Sequence, residues 1–318
     1  MKKYFILFLF LFSNILLFAQ SFTTIPGTDG LSKATVYQIW TKDHLMELRD
    51  SVYNSYYPNY STWHNGKHFR LMNDINNVTE SIHATFKGHF HGSGKKITLE
   101  IYNTPNNPNS ALFGVISNNG TVDSLIIDGF VDGGCGGITA GILYGSVTNC
   151  INNATIISMY GAAMIYQNEG TIINCINNGD ITGVDRIGGI AGENGGQIIN
   201  CINTGKITAT ASGDNSIFSG VGGICGTVAN GCKGILNCLN LGNVSGQGFV
   251  GGIVGLANGK PMSPTPITNC VNYGYVKGIN NVGGILGYMF YPYVNISNCV
   301  NAGVVVGSSD VGSITGKE

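Results

Sequence analysis

The chain has 318 residues, which is enough for one large domain or two small ones. Charged residues make up only 10% of it and the net charge is −1, so the charge gives no reason to expect a nucleic acid or an anionic membrane surface as partner. The 48 glycines favour a fold that is dense in turns.

The first 20 residues are typical of a secretory signal peptide. Lys2 and Lys3 precede an apolar run over residues 4–18, and Ala19 and Gln20 follow it at the expected cleavage point. The run is short for a membrane span and is interrupted by polar residues, so cleavage is favoured over an uncleaved anchor. We therefore expect a protein that is secreted or held at the cell surface, with residues 1–20 removed.

Residues 21–109 differ in composition from the rest and are predicted to form an N-terminal cap together with the first coil or coils of the repeat fold that follows. Both tryptophans and all six histidines lie in this part. Thr41 can cap a helix over residues 42–52, in which Leu45, Leu48 and Val52 share one face.

Four of the histidines, His64, His68, His89 and His91, are close enough in sequence to raise the hypothesis of a metal site. The spacing of His89 and His91 puts both side chains on one face of a strand. However, no carboxylate or cysteine lies beside them in a familiar ligand pattern. Surface histidines of a cap are the preferred interpretation, and neither a metal nor another cofactor is predicted.

Residues 110–318 contain a repeat that is marked by six Asn-Cys pairs. An aliphatic residue lies three positions before each cysteine, a second asparagine lies two positions after it, and a Gly-Gly-Ile element recurs between the pairs. Thirteen residues separate Cys175 from Gly188 and another thirteen separate Gly188 from Cys201, so the basic unit has 26 residues. The pairs are Asn149-Cys150, Asn174-Cys175, Asn200-Cys201, Asn237-Cys238, Asn269-Cys270 and Asn298-Cys299.

Each unit contains short runs of Ile and Val between glycines and asparagines, which predicts short strands joined by tight turns. One unit has too few apolar residues for a core of its own, so successive units must stack. We predict an all-β fold, a right-handed parallel β-helix or β-solenoid of roughly 26-residue coils about 4.8 Å apart, with a small N-terminal α/β cap. The asparagines are expected to form ladders of amides. The regular glycines are expected either at positive φ or where coils approach closely.

The nine cysteines belong to a chain that is expected in an oxidising compartment. Ladder cysteines would stack at the coil spacing, which exceeds the ~3.8 Å that a disulfide prefers between its Cβ atoms, so the six are predicted to be mostly buried free thiols. Cys135, Cys225 and Cys232 lie outside the ladder. Among these, a bridge from Cys232 to Cys225 or to Cys238 is the most plausible.

Insertions lengthen three successive repeats between the Gly-Gly-Ile-x-Gly element and the next Ile-x-Asn-Cys element, at residues 227–234, 256–266 and 288–295. They are predicted to protrude at one corner of three neighbouring coils, where solenoids often bind ligands. Aromatic residues with polar tips suit carbohydrate or protein contact, although the same loops could equally pack on one another to cover the coil edge. Another insertion, at residues 209–219, is expected to point elsewhere. The candidate ligand-binding residues are Lys260, Tyr288, Phe290, Tyr291 and Tyr293.

An enzyme that cleaves polysaccharides is an alternative function for a β-helix. Its chemistry would need paired carboxylates, or a calcium-binding acidic cluster with a basic residue. Acidic residues are sparse in the repeats, and Asp180 and Glu193 occupy different repeat positions. Asp185 with Arg186 is interpreted as a solvated turn pair. No catalytic residue is therefore predicted.

Three segments before the regular repeats, residues 69–75 (FRLMNDI), 86–94 (FKGHFHGSG) and 111–114 (ALFG), resemble the leader of GLUG-motif proteins. The units Val-Gly-Gly-Ile-x-Gly and Ile-x-Asn-Cys resemble the GLUG repeat itself. The resemblance covers about residues 65–316, and it departs from the pattern at the cysteines, where serine is usual, and at His91, where the leader often has aspartate.

GLUG motifs occur in bacterial surface and secreted proteins, including adhesin-like proteins and the non-catalytic regions of IgA-protease-type metallopeptidases. The resemblance implies β-helix-like repeats and a binding or adhesion role, and it supplies no catalytic residues. The leading hypothesis is an adhesin-like repeat protein that binds a host or cell-surface protein or a glycan. A carbohydrate-binding accessory protein and a divergent polysaccharide lyase or hydrolase are the alternatives. We expect a monomer that neither binds nucleic acid nor spans a membrane.

Overall fold

The computed structural model describes residues 29–54, 64–102, 111–117, 119–158, 163–210, 220–259 and 264–317. Over these ranges the chain winds into a stack of coils whose strands pair in parallel between neighbouring coils, so the predicted parallel β-solenoid is confirmed. The predicted signal peptide, residues 1–20, lies outside the described ranges.

A helix over Lys42–Asn54 lies between the first strand of the stack, Tyr37–Ile39, and the second, His68–Leu71. Its cap is the predicted one, because the Thr41 hydroxyl accepts a hydrogen bond from the backbone N–H of His44 at 3.3 Å. Leu45, Leu48 and Val52 are fully buried, and the helix packs against the strand Ile82–Phe86. No helix in the described part of the chain has the length and apolar character needed to cross a membrane.

The strands form four sheets, here called A, B, C and D. After a strand of sheet A the chain enters sheet B, passes through sheet D in the later coils, and returns through sheet C to the next strand of sheet A. Sheet A contains Tyr37–Ile39, His68–Leu71, His89–His91, Thr121–Asp123, Ser146–Thr148, Thr171–Ile173, Gln197–Ile199, Gly234–Leu236, Thr265–Thr268 and Val294–Ser297. Sheet C contains Ile82–Phe86, Phe113–Ser117, Gly136–Leu143, Ala163–Asn168, Ala191–Asn194, Cys225–Val228, Val254–Ala257, Leu286–Met289 and Thr315–Lys317.

Sheet B is the largest of the four, because most coils add two short strands to it, and sheet D is the smallest. Sheet B contains Ile75–Val78, Lys96–Tyr102, Ile126–Asp132, Ile151–Asn152, Thr155–Ile157, Ile176–Asn177, Ile181–Gly183, Ile202–Asn203, Ile207–Ala209, Leu239–Asn240, Val244–Ser245, Val271–Asn272, Val276–Lys277, Val300–Asn301 and Val305–Val306. Sheet D contains Ile187–Gly188, Val221–Gly222, Gly248–Gly251, Asn280–Gly283 and Ser309–Gly312.

Coil length varies because insertions are added to a constant core. Successive asparagines of the buried column in sheet B are separated by 25, 26, 37, 32 and 29 residues. The predicted 26-residue unit is therefore the short form of the coil. The aliphatic positions stay in register throughout, since Ile172, Ile198 and Ile235 pair across neighbouring coils and are all fully buried.

Two asparagine ladders run along the stack, as predicted. In the buried ladder, Asn203 donates hydrogen bonds from Nδ2 to Asn240 Oδ1 at 2.8 Å and to the Gly205 carbonyl at 2.9 Å, and its Oδ1 accepts one from Asn177 Nδ2 at 2.8 Å. The members from residue 152 to residue 272 are 0% exposed, so these bonds satisfy amides that water cannot reach. The buried ladder consists of Asn152, Asn177, Asn203, Asn240, Asn272 and Asn301.

The asparagines next to the ladder cysteines form a second, exposed ladder. Asn200 Nδ2, for example, donates to Asn174 Oδ1 at 3.2 Å, and each member has a positive φ of 52–55°. Asparagine tolerates this left-handed conformation better than most side chains. The exposed ladder consists of Asn149, Asn174, Asn200, Asn237, Asn269 and Asn298.

Of the two roles predicted for the regular glycines, close approach is confirmed and positive φ is wrong, because the asparagines occupy the left-handed positions. A Cβ at Gly205 would lie 2.0 Å from the carbonyl oxygen of Gly179 in the preceding coil. Gly242, Gly274 and Gly303 meet the preceding coil at the same distance. A side chain at any of these four glycines would therefore clash with the backbone of the preceding coil.

All nine cysteines, which lie within the described ranges, are unbridged. The ladder thiols are buried apart from the partly exposed Cys299, and Cys201 Sγ, for example, donates to the Ile199 carbonyl at 3.3 Å. The predicted bridge from Cys232 to Cys225 or Cys238 is wrong. Cys232 Sγ instead accepts a hydrogen bond from Asn194 Nδ2 at 3.0 Å, and so ends a third, short amide column.

Candidate functional site

The three predicted insertions leave the stack at one corner, between sheets C and A. Residues 229–233, 258–264 and 290–293 each connect a strand of sheet C to a strand of sheet A, and the connected strands are neighbours within both sheets. The shared corner is therefore confirmed. Lys260, one of the candidate binding residues, lies outside the described ranges.

An aromatic cluster extends from this corner and consists of Phe249, Tyr288, Phe290 and Tyr291. Phe290 and Tyr291 lie in the third loop, Tyr288 lies in the sheet C strand before that loop, and Phe249 lies on a strand of sheet D. The rings of Phe249 and Tyr288 stack with centroids 4.9 Å apart and planes 14° apart. Phe290 meets Tyr288 edge-on at 6.2 Å and Tyr291 edge-on at 4.7 Å. Such pairs contribute about 0.5–1.5 kcal/mol each beyond the area they bury, so the rings hold one another in place.

The loop that carries Phe290 and Tyr291 is fixed to the preceding coil by its backbone. Phe290 N donates to the Ala257 carbonyl at 3.0 Å, and the Tyr293 carbonyl accepts a hydrogen bond from Thr265 N at 3.0 Å. A Cβ at Gly259 would lie 2.4 Å from the Tyr293 carbonyl oxygen, so the two loops are in direct contact. Tyr293 thus lies where the loop contacts the preceding coil and is separate from the aromatic cluster.

Phe249 was not among the predicted residues, although its position in the repeat could have indicated it. It directly precedes Val250 and Gly251 and has a φ of 50°, which is unusual for an aromatic residue. The equivalent residues of other coils, Arg186, Asn281 and Asp310, have φ values of 47°, 52° and 50°. Each coil with a strand in sheet D therefore has its equivalent residue next to the outward-facing residues of sheet C. This residue carries a side chain in every such coil except the one in which it is Gly220.

In three of these coils the side chain at this position interacts with the residue seven positions later or with the counterpart of that residue on the next coil. Arg186 Nη1 bonds Glu193 Oε2 at 2.8 Å, and Lys317 Nζ lies 3.6 Å from Asp310 Oδ2. Between these two ion pairs lies the stacked pair of Phe249 with Tyr288. The aromatic cluster is thus flanked by charged pairs on both sides along the solenoid.

The acidic residues considered for catalysis are each engaged in structural contacts. Asp180 Oδ1 accepts a hydrogen bond from Lys206 N at 2.9 Å. Asp185 Oδ2 lies 3.2 Å from Arg186 Nε, and the same guanidinium binds Glu193. The interpretation of Asp185 and Arg186 as a solvated turn pair was incomplete, because Glu193 joins them and each of the three side chains is only 27–28% exposed.

Two of the histidines predicted to lie on the surface of a cap are buried. His64 is 3% exposed and stacks on Phe86, and His91 is 6% exposed. His91 Nδ1 lies 2.5 Å from Asp123 Oδ2, and His91 Nε2 lies 2.8 Å from His68 Nδ1. The prediction of surface histidines is therefore wrong for His64 and His91. His64 packs on Phe86, and neighbouring strands of sheet A place His91 between His68 and Asp123.

The fourth histidine of this region, His89, stacks on His68 with ring centroids 4.5 Å apart and bonds Thr121 Oγ1 through Nδ1 at 3.0 Å. Burial lowers the pKa of His68 and of His89, and repulsion from neighbouring histidines lowers both further. For Asp123, burial raises the pKa, but the hydrogen bond and charge of His91 outweigh it and the net shift is downward. No group of three or more metal-ligating side chains is assembled within the described residues.

The fold and these sites define a parallel β-solenoid held together by a buried asparagine ladder, with an aromatic corner near one end and, near the other, a histidine cluster that consists of His68, His89, His91 and Asp123. No family model and no curated protein matches the sequence. Among solved structures, that of a putative immunoglobulin A1 protease from Bacteroides ovatus is similar, with a TM-score of 0.56, 20% sequence identity, and coverage of 91% of this chain and 87% of that chain. At this level of identity the similarity shows the fold alone.

Proposed function

We propose that this chain is an exported surface-interaction protein of the GLUG-repeat kind, which binds a host or cell-surface protein or a glycan through the aromatic cluster. The observation that carries the proposal is the exposure of Phe290 and Tyr291, at 36% and 47%, in a loop whose backbone is bonded to the preceding coil. Aromatic side chains fixed in one conformation lose little entropy on binding and bury a large area.

The arrangement supports a binding role better than a catalytic one. Asp185 and Glu193 share the guanidinium of Arg186, and Asp180 accepts a hydrogen bond from a backbone N–H, so each of these carboxylates already has a structural partner. The similarity to a putative immunoglobulin A1 protease supports the solenoid fold and is compatible with the non-catalytic regions in which GLUG repeats occur. If the ligand is a glycan, the proposed function is that of a carbohydrate-binding accessory protein.

The proposal is tested by probing the purified chain on a glycan array and against host extracellular matrix proteins, with Tyr291→Ala as the test variant. Tyr273→Ala is the matched control, because Tyr273 is 60% exposed on another face and belongs to no ring pair among those described. We expect a bound ligand whose affinity falls at least about tenfold in Tyr291→Ala and not in Tyr273→Ala, as for an interface anchor. A ligand whose binding both variants retain unchanged would refute the aromatic cluster as the binding site.

A further inference from the structure

The outward face of sheet B changes from polar to apolar along the solenoid. On the coil of Asn272 the residues alternate strictly, since Asn272, Gly274 and Val276 are buried while Tyr273 and Tyr275 are exposed. Further aliphatic side chains are exposed on the same side of the coil before it and of the coil after it. We call this set the apolar face, and it consists of Leu241, Tyr273, Tyr275, Val300, Val304 and Val306.

Earlier coils carry charged residues on the same face. The position that Tyr275 and Val304 occupy in the repeat is occupied by Asp180 and Lys206 on earlier coils. Both charged residues are exposed, so the fold accepts a polar side chain at this position. Because these side chains point away from the core, packing within the coil does not require an apolar residue there. The apolar residues of the later coils therefore indicate a contact with another molecule.

The apolar face is large enough for the interface of a dimer. Its six residues are 39–62% exposed and together present roughly 500 Å² of surface. A stable interface buries about 800 Å² on each partner, and about 65% of that area is apolar in homodimers. The apolar face supplies this share, whereas monomers rarely leave so large an apolar patch in water.

We propose that the apolar face binds a second copy of this chain, so that two solenoids pack sheet B against sheet B about 10 Å apart. Lys277 is the only charged residue of the described segments 239–245, 271–277 and 300–306 that form this part of the sheet. Its aliphatic stem can lie along apolar surface while its ammonium group stays in water. A face of this composition complements a second copy of itself better than it complements a charged partner.

The charges along sheet B favour one orientation of the two chains. If the solenoids ran parallel, each coil would face its own copy, so Asp180 would meet a second Asp180 and Lys206 a second Lys206. In an antiparallel pair centred on the coil of Tyr275, apolar coils face one another and both charged residues stay outside the contact. We therefore expect a two-fold axis perpendicular to the solenoid. Such a dimer differs from the monomer that the sequence led us to expect.

The proposal is tested by sedimentation equilibrium of the purified chain over roughly 1–100 μM, with Tyr275→Lys and Val304→Lys as the test variants. We expect a monomer–dimer equilibrium whose dissociation constant rises at least about 30-fold in either variant, because the lysine occurs twice in a symmetric dimer and loses its water without gaining a partner. Lys206 already occupies the same repeat position, so the fold tolerates the change. The far-ultraviolet circular dichroism of each variant establishes that it is folded.

Thr182→Lys is the matched control, because it adds the same charge to sheet B at the repeat position of Lys277, on a coil outside the apolar face. Its dimer should be as strong as that of the unchanged chain. An unchanged chain that stays monomeric throughout the concentration range would overturn the proposal. A dimer that both test variants retain would also overturn it, because another surface would then hold the two copies together.

The same variants separate the dimer from ligand binding at the aromatic cluster. That cluster extends from the corner between sheets C and A and not from sheet B, so loss of the dimer should leave the affinity of each chain for a ligand there unchanged. A monomeric chain whose ligand binding is lost in Tyr275→Lys would overturn the proposal as well, since that ligand and not a second copy would then cover the apolar face.

Discussion

Replacing Asn203 by alanine removes one member from the middle of the buried amide ladder, and it tests whether that ladder holds the coils together. The substitution deletes two donated bonds and one accepted bond. It also leaves one N–H of Asn177, the Oδ1 of Asn240 and the Gly205 carbonyl without their partners at a position that is 0% exposed. Each stranded buried group costs about 1–3 kcal/mol.

We expect a loss of roughly 3–5 kcal/mol in the free energy of unfolding. This value is near the lower end of the combined cost of the three groups, because a water molecule can occupy part of the vacated space. The matched control is Asn200→Gly in the exposed ladder. Asn200 also makes amide bonds to both neighbouring coils, at 3.2 and 3.1 Å, but its partners can be rehydrated and glycine keeps the positive φ. Its loss should stay below about 1 kcal/mol.

The measurement is urea unfolding of both variants followed by far-ultraviolet circular dichroism, with linear extrapolation to water. Burial of the ladder predicts a difference between the two losses of stability, whatever either loss is alone. Equal losses in Asn203→Ala and Asn200→Gly would refute it, since burial of the amide would then contribute nothing to the stacking of coils.

Three further predictions concern other parts of the stack. Gly205→Ala should unfold the chain or cost more than about 3 kcal/mol, because its Cβ would meet the Gly179 carbonyl at 2.0 Å, whereas Gly248→Ala, which has nothing within 4 Å, should stay within about 0.5 kcal/mol in the same urea assay. Thr41→Ala should cost about 1 kcal/mol through loss of the helix cap, and Thr41→Ser should restore most of it. Burial lowers the pKa of His64 from 6.5 to about 4, so the stability it contributes is fully present above pH 6.5 and is lost as the pH falls from there towards 4. His64→Phe should flatten that part of a plot of urea midpoint against pH, and an unchanged slope would contradict the assignment.

Much of the fold could be predicted from the sequence, because in a solenoid one spatial position corresponds to one offset in the repeat. Ile172, Ile198 and Ile235 occupy the same offset and are paired in the structure. The corner shared by the three insertions followed from the same counting. The role of the glycines was harder to assign, because a glycine needed for positive φ and a glycine needed for close approach look the same in a sequence. Only the coordinates show that Asn200 has the positive φ and that Gly205 lies at the close approach.

The histidine cluster could not be predicted in the same way, because its members come from the irregular first coils. His68 and His91 are 23 residues apart, while His91 and Asp123 are 32 apart, so no constant offset aligns them. A signal was nevertheless present. Counting back 25 residues from Val147 and Thr148 reaches Val122 and Asp123, with which they pair in sheet A, and this register would have put a carboxylate next to the histidines.

At both candidate sites, the outward-facing residues of the sheets differ from the residues at the same repeat position in other coils. This follows from how the solenoid is stabilised. The ladder asparagines, the coil-facing glycines and the buried Ile and Val residues of each coil meet the same residues of the next, so they cannot change without breaking contacts on two coils. Outward positions such as those of Phe249 and His89 carry no such constraint, because their neighbours along the row differ from coil to coil. An aromatic pair or an imidazole pair can therefore arise there at little cost to the fold, and a binding function is more readily placed on these rows than in the ladders.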